Sequence, residues 1–241
     1  MSTSKAKVLI AFDFDHTIVD ENSEPFVFDK LAPNGIPDDI KSLYNRLGWN
    51  EYVGAVFAYL HSKGTSVDEI KKALYEVKLT AGMKQLLDLI KSEGLEAIII
   101  SDANSVFINE LLKKFNLTET FSTVYTNPSK VEENGLITIS YYHKQDWCDL
   151  STVNMCKGHI LDEHIKTNGG YDKVMYVGDG YNDLCPALRL RKSDVVCPRI
   201  GFSLKKSIEN LAPPHELHAR VVNWLDATEL LQVTKSLTEK D

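Results

Sequence analysis

Apolar positions along this chain fall into two kinds of run. Val8-Leu-Ile-Ala-Phe12, Ala97-Ile-Ile-Ile100, Lys173-Val-Met-Tyr-Val177 and Asp194-Val-Val-Cys197 are short, nearly unbroken and end in polar residues. Runs of this kind predict strands buried on both faces. Thr123-Val-Tyr-Thr126 predicts a further short strand, and Asn134-Gly135 between Lys130-Val131 and Leu136-Ile-Thr-Ile139 predicts a hairpin. The other runs have a helical period. Trp49, Tyr52, Val53, Val56, Phe57 and Leu60 share one face of a helix ending near Lys63-Gly64, and Met83, Leu86, Leu87 and Ile90 share another closed by Gly94. Helices are also predicted over 105–115, from about Ser151 to Lys166 before Gly169-Gly170, and over 227–235. Pro37-Asp-Asp-Ile40 reads as a helix start, and Ser66-Val-Asp-Glu69 as a capping box.

Strand, helix, strand, helix in this order predicts an α/β fold, a doubly wound parallel Rossmann-like sheet with right-handed crossovers. One segment interrupts it. From Val19 to Thr80 strand-like runs disappear and short helical patterns take over. Roughly 60 residues is far more than a single crossover needs. The expected organisation is a core of residues 1–18 and 83–241 with a small helical cap of residues 19–82 inserted in it.

Composition narrows the partners. With 241 residues, 43% hydrophobic and 25% charged, the chain is an ordinary globular one. Its formal net charge of −7 argues against nucleic acid or an anionic membrane as partner, since both demand a basic surface. Met1–Lys7 lacks the apolar core of a secretory signal, and no apolar run approaches the ~20 residues of a membrane-spanning helix. Four cysteines in a chain this long make no disulfide framework, so reduced thiols and a cytoplasmic location are expected.

Three strand ends carry polar clusters, and a parallel sheet brings them to one edge. Asp13 and Asp15 follow the first strand at i, i+2 and so point the same way. Two adjacent carboxylates need a cation, which makes a Mg²⁺-assisted site the natural reading. Asp13 is placed to attack phosphorus and form an aspartyl-phosphate, and Asp15 to act as acid and then base. Asp179 in Gly178-Asp-Gly-Tyr-Asn-Asp183 adds another metal-binding carboxylate, while Asp183 could bind directly, bind through water or cap the next helix. Ser101 and Lys157 are candidates to hold a phosphate. Taken singly, each has a plainer explanation as a turn residue, a helix cap or a solvated lysine.

Asp13-Phe-Asp15-His-Thr17, Ser101-Asp102, Lys157 and Gly178-Asp179-Gly180-Tyr-Asn-Asp183 resemble, in order, the four motifs of the haloacid dehalogenase superfamily. The likeness spans nearly the whole chain, because the 19–80 segment is similar to that superfamily's helical cap. It implies Asp13 as nucleophile and Asp15 as acid/base that also lends a backbone carbonyl to Mg²⁺. It further implies Ser101 and Lys157 as phosphate ligands and Asp179 as a metal ligand. Asp15 favours phosphoryl transfer over dehalogenation. More narrowly, Phe12 to Ser23, Ile99 to Asn104, Asn154 to Lys157 and Tyr176 to Pro186 look like the pyridoxal phosphate phosphatase and phosphoethanolamine/phosphocholine phosphatase pair, nearer the first.

In the second of that pair, acidic residues at the positions of Glu24 and Asp102 are implicated in choosing a cationic head group, and Glu24 is one methylene longer than the aspartate found there. Such carboxylates would suit a substrate carrying an ammonium. The plainer alternatives are a surface Glu24 on the lid and an Asp102 that caps the helix following Asn104. The stretch Cys148 to Cys156 lacks a Cys-Pro that the family has, and His143, Cys148, Cys156 and His159 lack the paired spacing of a zinc site. The expected function is a Mg²⁺-dependent phosphomonoesterase for a small phosphorylated metabolite, pyridoxal 5′-phosphate first. Phosphoethanolamine or phosphocholine is the alternative. A phosphoserine-type phosphatase, a phosphomutase and a non-catalytic binding module are the further rivals.

Overall fold

The computed structural model describes residues 6–43 and 48–238. Residues 1–5, 44–47 and 239–241 lie outside the described residues, so the leader reading falls mostly on residues not described. A six-stranded sheet, parallel throughout, organises the rest. Its strands are β1 (Val8–Phe12), β2 (Glu96–Asn104), β3 (Thr123–Asn127), β6 (Lys173–Gly178), β7 (Val195–Pro198) and β8 (Arg220–Val221). They lie in the order β3-β2-β1-β6-β7-β8. The chain winds outward from β1 to β3, then crosses back and winds outward on the other side. The crevice between β1 and β6 is therefore the topological switch point, where sheets of this kind bind ligands. A separate antiparallel hairpin, β4 (Ser129–Val131) and β5 (Ile137–Ile139), turns through Asn134-Gly135 as its sequence requires.

Both faces of the sheet are covered, which is why its strands read as unbroken apolar runs. Ile10, Phe12, Ile99, Met175 and Val177 face one layer. That layer includes the helix Met83–Ser92, the helix Ser105–Lys114 and the C-terminal helix Leu230–Leu237. Leu9, Ala11, Ile98, Ile100 and Tyr176 face the other, which holds the helices Lys157–Thr167 and Ser203–Glu209. Alternate residues of one strand thus serve two cores.

Between β1 and the helix Met83–Ser92 come the helices Ser23–Leu31, Asp38–Lys41, Trp49–Ser62 and Val67–Leu74. Phe28 sits edge-on to Phe57, centroids 5.4 Å apart, and Phe57 in turn meets Phe107 at 5.5 Å. The helical segment therefore shares a continuous apolar cluster with the first layer. The hairpin lies against the same segment, with Asn50 donating to the Ser140 carbonyl at 3.1 Å. Ser66 and Glu69 make the full reciprocal capping box: Glu69 N–H donates to Ser66 Oγ at 3.2 Å and Ser66 N–H to Glu69 Oε2 at 2.8 Å.

Among the elements that differ from those the sequence predicts, the helix Ser203–Glu209 is added and β2 runs on to Asn104. The helix expected from Ser151 starts at Lys157 instead. The Gln145 amide donates to the Ser151 and Thr152 carbonyls, at 3.3 and 2.8 Å, holding residues 151–156 as loop. The tail begins as a turn of 3₁₀ helix over Ala227–Glu229 before the helix Leu230–Leu237. A sixth strand, β8, joins the sheet edge.

Candidate active site

Asp13 leaves β1 still in the ladder: its N–H donates to the Val177 carbonyl of β6 at 2.9 Å. The strand pair therefore fixes where the carboxylate starts. Phe14 N–H closes on Asp13 Oδ1 at 2.7 Å, and Lys157 Nζ lies 2.9 Å from Asp13 Oδ2. After Asp15 the chain turns sharply: the Thr17, Ile18 and Val19 N–H groups all donate to the Phe14 carbonyl, and His16 takes φ +53°. Asp15 Oδ1 accepts the Ser23 N–H at 3.1 Å, at the first residue of the helix Ser23–Leu31. A carboxylate there meets the positive end of that helix.

Lys157 opens its helix and is only 1% exposed. Its ammonium joins Asp13 to Asp183, 2.8 Å away. Burial alone would lower its pKa, but the Asp13 and Asp183 charges outweigh it and hold the lysine well above its usual value. Asp183 is fully buried, and each of its oxygens is taken. Lys157 and Tyr176 OH meet Oδ1, the latter at 2.7 Å, while the Asp179 and Gly180 N–H groups donate to Oδ2 at 3.0 and 2.8 Å. Gly178 is what admits it, since a Cβ there would stand 2.5 Å from Asp183 Oδ2. Asp183 thus shapes the loop that presents Asp179.

Asp13, Asp179 and Asp183 can each offer a carboxylate oxygen with all three within 4.8 Å of one another. One ammonium does not balance three carboxylates. Burial, then the neighbouring Asp183 charge, pushes Asp13 well above the usual carboxylate range and Asp179 up to about 8. Burial also raises Asp15 to about 7. Oxygen donors so crowded and so short of positive charge fit a hard divalent cation such as Mg²⁺.

Above this floor opens a cavity of about 670 Å³ whose walls include Asp13, Asp15, Trp49, Asp102, Asp179 and Asn182. Asp102 is no helix cap: Asn104 caps the helix Ser105–Lys114 by accepting Phe107 N–H at 3.0 Å. Instead Asp102 Oδ2 accepts from Asn182 Nδ2 at 2.9 Å on the cavity wall. Glu24 is no surface residue; it is fully buried, outside that wall, with Asn104 Nδ2 donating to Oε1 at 2.8 Å. Ser101 is buried beside Asp13's strand and takes the Ala103 N–H at 3.3 Å.

Residues 8–238 match the family model described as Putative Phosphatase. The chain is 34% identical over 244 residues to the pyridoxal phosphate phosphatase PHOSPHO2 of Bos taurus, covering 97% of this chain and 100% of that one. The chain belongs to this phosphatase family. It is also 34% identical over 248 residues to a thiamine phosphate phosphatase-like protein of Arabidopsis thaliana, covering 98% and 99% of the two chains. A solved phosphoserine phosphatase in complex with substrate shares the fold, with a TM-score of 0.64 at 17% identity over 95% of this chain and 99% of the other. The phosphatase is thus a haloacid dehalogenase superfamily member, in the family that includes the phosphoethanolamine/phosphocholine phosphatases.

Four side chains that the sequence does not single out complete the phosphatase's site. Thr17 Oγ1 donates to Asp179 Oδ1 at 3.3 Å, Tyr176 holds Asp183, and Asn182 holds Asp102. Arg199, at the end of β7, donates to the His16 carbonyl and pairs with Asp20, strapping down the turn after Asp15. A polar residue at a fourth strand end was the available signal for Arg199. Thr17 and Asn182 lie inside the quoted motifs, but their partners, like that of Tyr176, emerge only in the folded site.

The raised carboxyls set a pH dependence for the metal-free protein. Asp15, Asp179 and Glu24 go from ordinary values of 3.8, 3.8 and 4.5 to about 7, 8 and 8, each mainly through burial. At these three groups the folded chain holds protons that the unfolded chain releases, so their contribution to stability falls as pH rises from about 4 to about 8. A divalent cation taken up at Asp179 would have to displace a proton below about 8, so its affinity should rise with pH over the same window. Thermal midpoints from about pH 5 to about pH 9 should fall in EDTA, and the stabilisation by Mg²⁺ should grow. A midpoint in EDTA that climbs through this range would contradict the assignment.

Proposed function

We propose that this phosphatase is a Mg²⁺-dependent phosphomonoesterase of small metabolites, acting through an aspartyl-phosphate on Asp13, with pyridoxal 5′-phosphate as its first substrate. One observation carries the reading: Asp13 stands on the cavity floor against the Lys157 ammonium, with Asp15 on the same wall and pushed up to about 7. In this reading Asp13, Asp179 and the Asp15 backbone carbonyl hold the metal, with Asp183 behind them. Bound there, Mg²⁺ supplies charge neutralisation for the phosphate and the nucleophile.

The residues do the rest. Ser101 and Lys157 hold phosphate oxygens, and Lys157 offsets the charge that Asp13 brings towards phosphorus. Asp13 attacks in line, forming the Asp13 acyl phosphate as the bond from phosphorus to the leaving oxygen breaks. Near neutral pH a large share of Asp15 carries the proton that the leaving alkoxide needs. Asp15 then takes a proton from the water that hydrolyses the acyl phosphate. Residues 19–82 serve as the cap, excluding bulk water and choosing the leaving group.

Trp49 on the wall gives a planar heteroaromatic ring a face to stack on, and Asp102 gives a ring N–H or an ammonium a partner. The ring favours pyridoxal 5′-phosphate. The Asp102 carboxylate alone would serve phosphoethanolamine or phosphocholine equally, and the relatives' names also bring thiamine phosphate within the same chemistry. The partner in each case is a small metabolite, in a reducing cytoplasm.

Phosphate release from these four compounds and phosphoserine, with Mg²⁺ and with EDTA, tests the proposal. Pyridoxal 5′-phosphate should give the highest kcat/KM, and EDTA should abolish turnover. Activity indifferent to EDTA removes the metal from the reading, and no free phosphate from any compound leaves the phosphomutase or binding-module rival. Asp102→Asn should raise KM for the ammonium substrates roughly tenfold, the effect of one charge pair worth about 1.4 kcal/mol, with kcat little changed. Equal KM values would remove Asp102 from substrate choice.

A further inference from the structure

Across the sheet from the cap, two thiols from the loop before Lys157 meet a third from the short helix Leu184–Ala187. Cys148 Sγ lies 3.5 Å from Cys185 Sγ, Cys156 Sγ lies 3.7 Å from the same atom, and all three sulfurs are within 4.8 Å of one another. We infer that Cys148, Cys156 and Cys185 form a site for one zinc-class cation, with a fourth position open to water or the Ser151 hydroxyl. None of this chemistry is required by the phosphatase reading, and the site stands apart from the carboxylate cluster.

The geometry supports a metal. Zinc bound to sulfur at ~2.3 Å in a tetrahedron sets its ligands about 3.8 Å apart. The observed separations match such an edge closely. Sulfurs joined in a disulfide would be at about 2.05 Å, and all four cysteines of the chain are free.

The surroundings are built for charge. Cys156 precedes the helix Lys157–Thr167, so it stands at the positive end of that helix. The Arg189 guanidinium, paired with Asp162 at 2.9 Å, lies near the Cys185 sulfur. Three thiolates around a divalent cation carry one surplus negative charge, which these two features face. Ser151 is 6% exposed, and its buried Oγ has no hydrogen-bond partner that meets normal geometry, yet it lies beside the Cys156 and Cys185 sulfurs. Gly158 leaves the room: a Cβ there would stand 2.5 Å from Cys185 Sγ. Cys148 is the partly exposed member and gives the ion a way in from solvent.

Such an ion would join the loop ending at Cys156, next to Lys157, to the loop running from Asp179 through Asp183 to Cys185. It would be a structural staple beneath the phosphate grip. Spacing along the chain hides it, because Cys185 lies far from the other two and no C-x₂-C pair occurs.

Full-length protein purified without chelator from zinc-supplemented cells should carry about one zinc per chain by elemental analysis. Cys148→Ser and Cys185→Ser should lose it, whereas Cys197→Ala, whose sulfur sits in β7, should keep it. Should either serine variant fail to fold, wild-type protein reconstituted with Co²⁺ decides the matter, because thiolate ligation gives a sulfur-to-cobalt charge-transfer band that Mg²⁺ sites do not. Ser151→Cys should complete a four-thiolate set and slow zinc loss to a chelator. Wild-type protein that takes up neither Zn²⁺ nor Co²⁺ while all its thiols stay titratable would overturn the inference. So would a Cys148–Cys185 or Cys156–Cys185 disulfide, seen by mass as the loss of two hydrogens, in protein prepared under reducing conditions.

Discussion

Asp13→Asn should lower phosphate release by at least ~10⁴-fold while leaving the fold intact. An amide is no nucleophile towards phosphorus, and the loss is confined to the chemical step. The fold survives for a reason visible at the site. The substituted residue would still donate its backbone N–H to the Val177 carbonyl, and Lys157 would still have Asp183 at 2.8 Å. The change also removes a carboxylate that burial and the Asp183 charge disfavour, so the thermal midpoint in EDTA should hold or rise. A variant that is folded and turns over at the wild-type rate would refute Asp13 as the nucleophile. One that is inactive because it has unfolded would show as a collapsed midpoint.

Lys157→Met should damage both activity and stability. Methionine fills the volume but strips the ammonium that meets Asp13 and Asp183, both buried, at 2.9 and 2.8 Å. Removing one partner from a buried ion pair costs about 3–5 kcal/mol, because the remaining charge has no water to turn to. Turnover should fall at least ~10²-fold through the lost charge stabilisation. Urea titrations in EDTA would read the first effect and initial rates the second. Adding Asp183→Asn to Lys157→Met should recover part of the stability and none of the activity. An unchanged urea midpoint for Lys157→Met would mean that the lysine does not hold the carboxylates together.

Much of this site was legible because its physics is local. Asp13 and Asp15 sit at the end of an apolar run, and Asp179 does the same in a glycine-rich turn, so strand ends and carboxylates were enough to bring them to one edge. What stayed hidden depends on partners far along the chain. Nothing near Asp102 says that Asn182 will hold it on the cavity wall, and nothing near Glu24 says that Asn104 will draw it inside. The helix expected from Ser151 had acceptable periodicity, but the Gln145 side chain captured its first carbonyls. A two-residue strand such as Arg220–Val221 carries too little pattern to see; it exists because β7 offers it an edge.

The hydrogen bond from Asp13 N–H to the Val177 carbonyl also says when the enzyme comes into being. Asp13 is made near the start of the chain, and the strand that fixes it, the lysine that faces it and the loop carrying Asp179 are all made late. Contacts so distant in sequence are slow to form, since a long stretch of chain must be ordered before they are rewarded. During synthesis the first strand, the helices between Ser23 and Leu74 and β2 can assemble while the crevice has only one wall. On the proposed site, a nascent chain should be catalytically silent until β6 docks beside β1, and a product truncated before β6 should show no residual activity.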